Sequence, residues 1–524
     1  MDVKQHNAVC KLSEIGDGEL KEVKVGETPV LLARVDGQCY ALAAHCTHYG
    51  APLAEGYLSG DRIVCPWHHA CFNARTGNLE EPPALDSLAK YRVTINDDDV
   101  IVELPDEPAD RRTPMMAIPD AASDTRTFVI IGGGGAGYTA AQTLREDGFV
   151  GRIVMITPEE NLPYDRPNLS KDYLQGSSQP EWMLLRPDDF YTEHGIETVR
   201  EKVKRVSKYS KQIDIEGGGN LDFDRLLIAT GGVPRTLDLP GSDLKNIFVL
   251  RSFTSADKII AAVEKAEKIA VIGSSFIGME AAFSLTKRGK QVAVIAPDSI
   301  PFEKTLGPEI GKLFQSVHEK NGVKFRLASG VTGFEGDGRV EKVILGSGES
   351  IDADVVIIGI GVRPATDFLN GFDMHKDGGV VSDANLRIGD DIFAAGDIVH
   401  FPDARTGEST RIEHWRTALQ LGRCAANNMV GKATPFDGVP FFWTTQFDVT
   451  LNYVGHAVGW DRTVVQGNID SKDFLIFYIK DDRVHAVAGM NRDRELDIWE
   501  ERFRLGGVPS VNDLERELAA SAVT

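Results

Sequence analysis

Residues 127–137 read Thr127-Phe128-Val129-Ile130-Ile131 and then Gly132-Gly133-Gly134-Gly135-Ala136-Gly137, with a helical stretch continuing from Tyr138 to Glu146. A short, β-branched apolar run that breaks into glycines predicts a buried strand turning sharply into a helix. Gly132, Gly134 and Gly137 fit Gly-x-Gly-x-x-Gly. The first glycine permits the tight turn, the second lets backbone approach a pyrophosphate, and the third lets helix and sheet pack closely. The helix N-terminus adds its positive dipole. A second strand, Arg152 to Thr157, ends just before Glu159, a carboxylate placed to accept from ribose hydroxyls. Strand, glycines, helix and acid in that order predict a dinucleotide-binding α/β unit.

A second copy follows: strand Lys268 to Ile272, then Gly273-Ser274-Ser275-Phe276-Ile277-Gly278, a helix from Met279 to Lys287, and strand Gln291 to Ala296. Ser275 stands where the middle glycine is usual, a place that tolerates a small side chain. The acid that would close the second strand is missing: Ala296 occupies its place, and Asp298 lies two residues on. No arginine there awaits a 2′-phosphate, so NADH versus NADPH stays open.

A different module precedes these units. With 524 residues, several domains are expected. Cys10, Cys39, Cys46, Cys65 and Cys71 crowd its start, and only Cys424 lies elsewhere. Short apolar runs between Gly and Asp turns predict a small all-β domain over 1–105. Two of its loops carry Cys46-Thr47-His48 and Cys65-Pro66-Trp67-His68. A zinc finger would put two cysteines on one knuckle and two histidines on the other. Here each loop supplies one of each, which resembles the Rieske [2Fe–2S] pattern with Cys46, His48, Cys65 and His68 as ligands. His69 then reads as a surface or outer-layer residue. Residues 106–126 are rich in proline and lack any period, and read as a tether; docked and mobile placements of the Rieske unit are both open.

Two dinucleotide folds in tandem resemble the two-domain flavoproteins of the pyridine nucleotide-disulfide oxidoreductase fold, in their apoptosis-inducing-factor-like, oxygenase-coupled ferredoxin reductase branch. Ala229-Thr230-Gly231, the Gly361 turn before Arg363-Pro364, and Gly396-Asp397 follow in family order. Leu162 to Lys171 is similar to a segment of that branch, and only Cys424 remains in the body, which excludes a cysteine-pair relay. The resemblance implies FAD in 127–247 and 369–432, NAD(P) in 248–368, and a C-terminal α+β domain over 433–524 serving dimerisation or docking, with a homodimer conceivable. It also implies that Arg166 and Lys171 approach the flavin, that Lys171 pairs with Glu280, that Asp397 contacts the ribityl chain, and that Trp415 lies at the flavin edge on an electron exit path. On sequence grounds alone Trp415 and Trp443 read as core aromatics.

The formal net charge of −21 argues against nucleic-acid or anionic-membrane binding. The polar start of the chain and the lack of a long apolar run predict a cytoplasmic protein. Both the first 105 residues and the remainder are net acidic, so electrostatics are not expected to hold the Rieske unit on the body. No histidine pair spaced for mononuclear iron occurs outside the Rieske loops, which disfavours a terminal oxygenase. The expected route is NAD(P)H to FAD to Rieske cluster to an external acceptor protein such as an oxygenase or cytochrome P450. The alternatives are a slow-turnover, redox-responsive interaction protein and a self-contained flavin oxidase or quinone reductase.

Overall fold

The structure, a computed structural model, describes residues 8–521. Its N-terminal unit is all β. A six-stranded antiparallel sheet includes Thr28–Val35 and Gln38–Ala43, and a four-stranded sheet runs Tyr57–Ser59, Arg62–Val64, Cys71–Asn73 and Leu79–Glu81. One ligand loop leaves the strand that ends at Ala43; the other is the turn between Arg62–Val64 and Cys71–Asn73.

In the second unit β1 (Thr127–Ile131) passes into α1 (Gly135–Glu146) and returns as β2 (Arg152–Ile156), parallel to β1. Strands Ile196–Val199, Arg225–Ile228 and Ile392–Ala394 extend this parallel sheet, and Arg387–Gly389 closes one edge antiparallel. The third unit repeats the plan with β3 (Lys268–Ile272), α2 (Phe276–Lys287) and β4 (Gln291–Ile295) in a five-stranded parallel sheet that begins at Ile247. The two turns share their backbone geometry. Gly132 and Gly273 have φ of 122° and 112°, and a Cβ on either would sit 2.1 or 2.2 Å from a carbonyl oxygen of a neighbouring strand's end. At Ser275 the backbone is extended (φ −91°, ψ −176°), so serine replaces glycine there without strain.

A long helix, α3 (Trp415–Met429), packs on α1 backbone to backbone: a Cβ on Gly422 would lie 2.2 Å from the Ala136 oxygen. The chain then forms β5 (Phe441–Gln446) and β6 (Val449–Gly455) of a five-stranded antiparallel sheet, followed by α4 (Asp493–Arg504). Among the described residues no helix is long and apolar enough to cross a membrane.

The Rieske unit is docked. Arg416, Gln420 and Arg423 share one face of α3, as spacings of four and three dictate. They donate to Pro82 O (2.9 Å), Glu81 Oε2 (2.8 Å) and Glu80 O (3.1 Å). Arg186 donates to Asp86 (2.7 Å) and Leu85 O (2.9 Å). This corrects the expectation drawn from net charge: arginines of the body bind carboxylates and carbonyls of the Rieske unit, because local complementarity is decided by a few side chains and not by totals. Segment 106–126 is laid along both units. Arg111–Arg112 pairs with Ser87–Leu88, Ala117 N–H donates to Arg145 O (2.8 Å), and Asp120 N–H to Val150 O (2.8 Å).

Candidate redox site

The Rieske loops are built alike. Cys46 N–H donates to Ala51 O (2.9 Å) and Gly50 N–H returns to Cys46 O (2.9 Å); Cys65 N–H donates to Ala70 O (2.9 Å) and His69 N–H returns to Cys65 O (3.1 Å). The residue four after each cysteine takes positive φ: Gly50 in one loop (78°), His69 in the other (57°). These turns bring the side chains together in pairs, thiol to thiol and imidazole to imidazole. The two Nδ1 atoms of His48 and His68 face each other at 3.1 Å. Burial holds both imidazoles neutral, His48 down to about 3 and His68 well below its usual range. Neutral rings keep the lone pairs a metal needs. Cys46 and Cys65 are buried free thiols; a hydrogen bond from Cys65 lowers Cys46, while burial raises Cys65. Two thiols and two neutral imidazoles so placed fit a mixed-ligand iron–sulfur cluster.

The dinucleotide cleft runs as two adjoining cavities that share Gly134, Arg166, Ala229, Gly231 and Arg251. Gly132, Glu159 and Thr230 line the half beside β2; Asp397, Trp415 and Ile277 line the other. Arg166 is clasped by Glu159 and by Tyr164 Oη (2.8 Å). Arg251, whose pKa is lowered by burial and by Arg166, faces the same space. Two guanidiniums beside a glycine turn at a helix N-terminus fit a diphosphate. Burial raises Asp397, opposed by Arg251 at 3.8 Å. Gly137 does not line the cleft; a Cβ there would lie 1.9 Å from Gly132 O. Gly137→Val is therefore expected to abolish flavin retention and most soluble yield, as read by flavin content after purification; wild-type content would refute this.

Glu280 joins three units. Its carboxylate accepts from Ser170 Oγ (2.5 Å), Lys171 Nζ (2.8 Å) and Thr444 Oγ1 (2.8 Å), so the Lys171–Glu280 pair is present. Gly273, Ser275, Gly278 and Gly361 lie outside the two cleft cavities, and of the second glycine motif only Ile277 reaches them. At the end of β4 Asp298 is bound by Lys304 at 2.6 Å.

Strand β5 connects the two centres. Its alternate residues face opposite ways: Phe441 stacks on His69 (4.0 Å between centroids) and Trp443 lies against His68 (4.2 Å), while Thr444 reaches Glu280. Of the two readings of His69, the structure corrects the surface one. His69 is fully buried, bonded to Glu500, and 3.4 Å from Asp497. Glu500 also takes Arg416 Nη2 at 2.7 Å. The partners lie over 400 residues apart, which no local pattern reports. Arg251, Trp443 and Glu500 were missed because their partners Asp397, His68 and His69 lie far away in the chain. The structure also gathers His375, Asp377 and His400, which spacing did not show. There Arg411 Nε occupies the carboxylate at 2.8 Å. Although burial opposes ionisation, hydrogen bonds from Gly379 N–H, His375, Arg411 and His400 hold Asp377 far below the usual range. A guanidinium already supplies the cation at that carboxylate.

A fold of this layout with two such sites defines a flavin-dependent NAD(P)H oxidoreductase carrying its own Rieske domain. The chain belongs to the pyridine nucleotide-disulphide oxidoreductase family, whose sequence profile matches residues 126–422. Profiles of the Rieske [2Fe-2S] domain and of the reductase C-terminal domain match 5–92 and 441–514. The chain is 38% identical over 498 residues to human (Homo sapiens) apoptosis-inducing factor 3, covering 93% of this chain and 82% of that protein. It is 36% identical over 372 residues to the 5,5'-dehydrodivanillate O-demethylase ferredoxin reductase subunit of a Sphingobium species, covering 70% and 90%. The solved covalent putidaredoxin reductase–putidaredoxin complex includes a similar chain, with a TM-score of 0.69 and 30% identity, covering 72% of this chain and 93% of that one. FAD and a Rieske [2Fe–2S] cluster are thus its cofactors and NAD(P)H its reductant.

Proposed function

We propose that the chain carries electrons from NAD(P)H through FAD to its own Rieske cluster and on to an external acceptor protein, such as an oxygenase component or a cytochrome P450. The observation that carries this reading is that Pro167 belongs to both walls: it lines the dinucleotide cleft and also the cleft containing His68. One residue's thickness stands between the two cavities there. When bound, FAD takes a hydride's electron pair and gives it up singly, as a [2Fe–2S] cluster requires.

The chain's part is to hold geometry. Glu280, fixed by donors from the FAD unit and from β5, sets the angle at which α2 faces the cleft, and Ile277 at the start of α2 is 44% exposed there. That angle decides how a nicotinamide would lie. Trp415, packed over Gly135, walls the same cavity. The Sphingobium relative is named as the ferredoxin reductase subunit of an O-demethylase, which supports an external acceptor; here a fused Rieske domain stands in the ferredoxin's place. An anaerobic NADH titration tests the order of carriers. Flavin bleaching followed by the EPR signal of a reduced Rieske centre is expected. A cluster that dithionite reduces but excess NADH and NADPH leave oxidised would overturn the proposal.

A further inference from the structure

The residue after each ligand histidine is bonded to a carboxylate of the body. His69 follows His68 and meets Glu500 of the C-terminal unit; Tyr49 follows His48, and its Oη donates to Asp165 Oδ2. The two anchors lead to different places. Glu500 sits with Arg416 in a buried ion cluster between the units. Asp165 instead heads the 3-10 turn Arg166–Ser170: its carbonyl accepts from Asn168 N–H (3.3 Å), and its own N–H donates to Met183 O (2.8 Å). Arg166 and Pro167, the next two residues, line the dinucleotide cleft. The bond from Tyr49 therefore ends on the segment that walls the flavin site.

The ligand loop is held close to this bond. Tyr49 lies tilted against the His48 ring and edge-on to His68, with centroids 4.1 and 5.6 Å away. On the other side of His48, Thr47 Oγ1 donates to Asp86 O (2.7 Å), and Asp86 is bound by Arg186 of the FAD unit (2.7 Å). Both chain neighbours of His48 are thus tied to the body, Thr47 by way of Asp86 and Tyr49 directly. Tyr49 remains 47% exposed, so its ring adds little burial to the interface. A hydrogen bond is directional where apolar burial is not. Its effect is to fix where the ligand loop points.

We propose that the Tyr49–Asp165 hydrogen bond registers the cluster against the flavin, with Tyr49 a positioning residue for the internal electron step and not a docking anchor. The step moves one electron, which the reduced flavin loses and the oxidised cluster gains. Between two centres in one chain, its rate follows the fraction of molecules that are aligned. Arg416 and Glu500 keep the units together; Tyr49 and Asp165 set the approach of one ligand loop. The part played in transfer rests on the electron route proposed above; the registering contact does not.

The test uses the full-length holoenzyme. Tyr49→Phe removes the hydroxyl and keeps the ring on His48. In stopped flow with NADH, flavin bleaching should match the parent, while appearance of the reduced cluster should slow about fivefold, the size of one lost hydrogen bond. Asp165→Asn, which keeps an acceptor, should fall between. Combining the two should be no slower than Tyr49→Phe alone, because one contact cannot be lost twice. The cluster's EPR spectrum and midpoint potential should be those of the parent, which separates lost alignment from an altered driving force. Hydrogen exchange read by mass spectrometry is independent of turnover. Segments 46–51 and 165–171 should exchange severalfold faster in Tyr49→Phe, with 79–88 and the protease resistance of 106–126 unchanged. Equal exchange at 46–51 and 165–171, cluster reduction as fast as in the parent, or a slowing explained by a shifted midpoint would overturn the proposal. So would lost protection at 79–88, which would make Tyr49 a docking anchor. A cluster that NADH leaves oxidised even in the parent would overturn the route and Tyr49's part in it, while exchange still decides the contact.

Discussion

Serine at Cys46 is expected to leave a flavoprotein that NAD(P)H still bleaches but that has no Rieske signal and reduces protein acceptors on the order of a hundredfold more slowly. Cys46 is 3% exposed, on a loop closed by its own N–H and C=O bonds to Ala51 and Gly50. The backbone cannot move to compensate for a shorter, harder oxygen donor. Loss of one thiolate also removes the charge that balances the iron pair, so the cluster is lost as a whole. Binding of the cluster contributes to folding of the small β unit, so its melting transition should fall while that of the body holds. Stopped-flow flavin reduction, EPR and acceptor assays on one preparation check this. Full acceptor activity in the clusterless variant would return the self-contained flavin enzyme to favour.

The second large effect is expected at Glu500. Its carboxylate binds Arg416 and His69, all three within 1% of complete burial. Glu500→Ala leaves the Arg416 guanidinium buried without its counter-ion, a change that costs about 3–5 kcal/mol. Most of the penalty is avoided if the Rieske unit lifts off and lets water in. The variant should therefore be cut readily within 106–126 by limited proteolysis and should transfer electrons from flavin to cluster on the order of a hundredfold more slowly, with hydride uptake by the flavin preserved. Glu500→Gln, which keeps a hydrogen bond to Arg416, should fall between. The acid limb follows the same logic. Burial opposes ionisation of Glu500, but Arg416 and His69 hold it down to about 2 from an ordinary 4.5. A depressed carboxylate contributes stability that is complete above its unfolded pKa and lost as pH falls through its folded one. Docking should thus be insensitive to Glu500 at neutral pH and weaken between 4.5 and 2. Protease resistance of 106–126 in Glu500→Ala equal to that of the parent would show that the contact does not depend on this ion pair.

Whatever depends on a few neighbouring residues was readable in the chain itself. The two glycine turns were legible because a carbonyl 2.1 Å from a would-be Cβ admits glycine alone, whatever surrounds it. The Rieske unit was legible because metal chemistry needs Cys and His at short, fixed separations. Lys171–Glu280 came through resemblance, since 109 residues part its members and nothing local joins them.

The glycine motifs and the Cys–His loops marked the dinucleotide-binding units and the Rieske unit, because those constraints are written over short spans of chain. Tertiary structure alone decided that the Rieske unit is docked and that His69 points into the body. It also turned Trp443, read as a core aromatic, into the wall beside a ligand histidine. These outcomes rest on side chains brought together across hundreds of residues, where the free energy depends on burial and mutual orientation that no short stretch of sequence encodes.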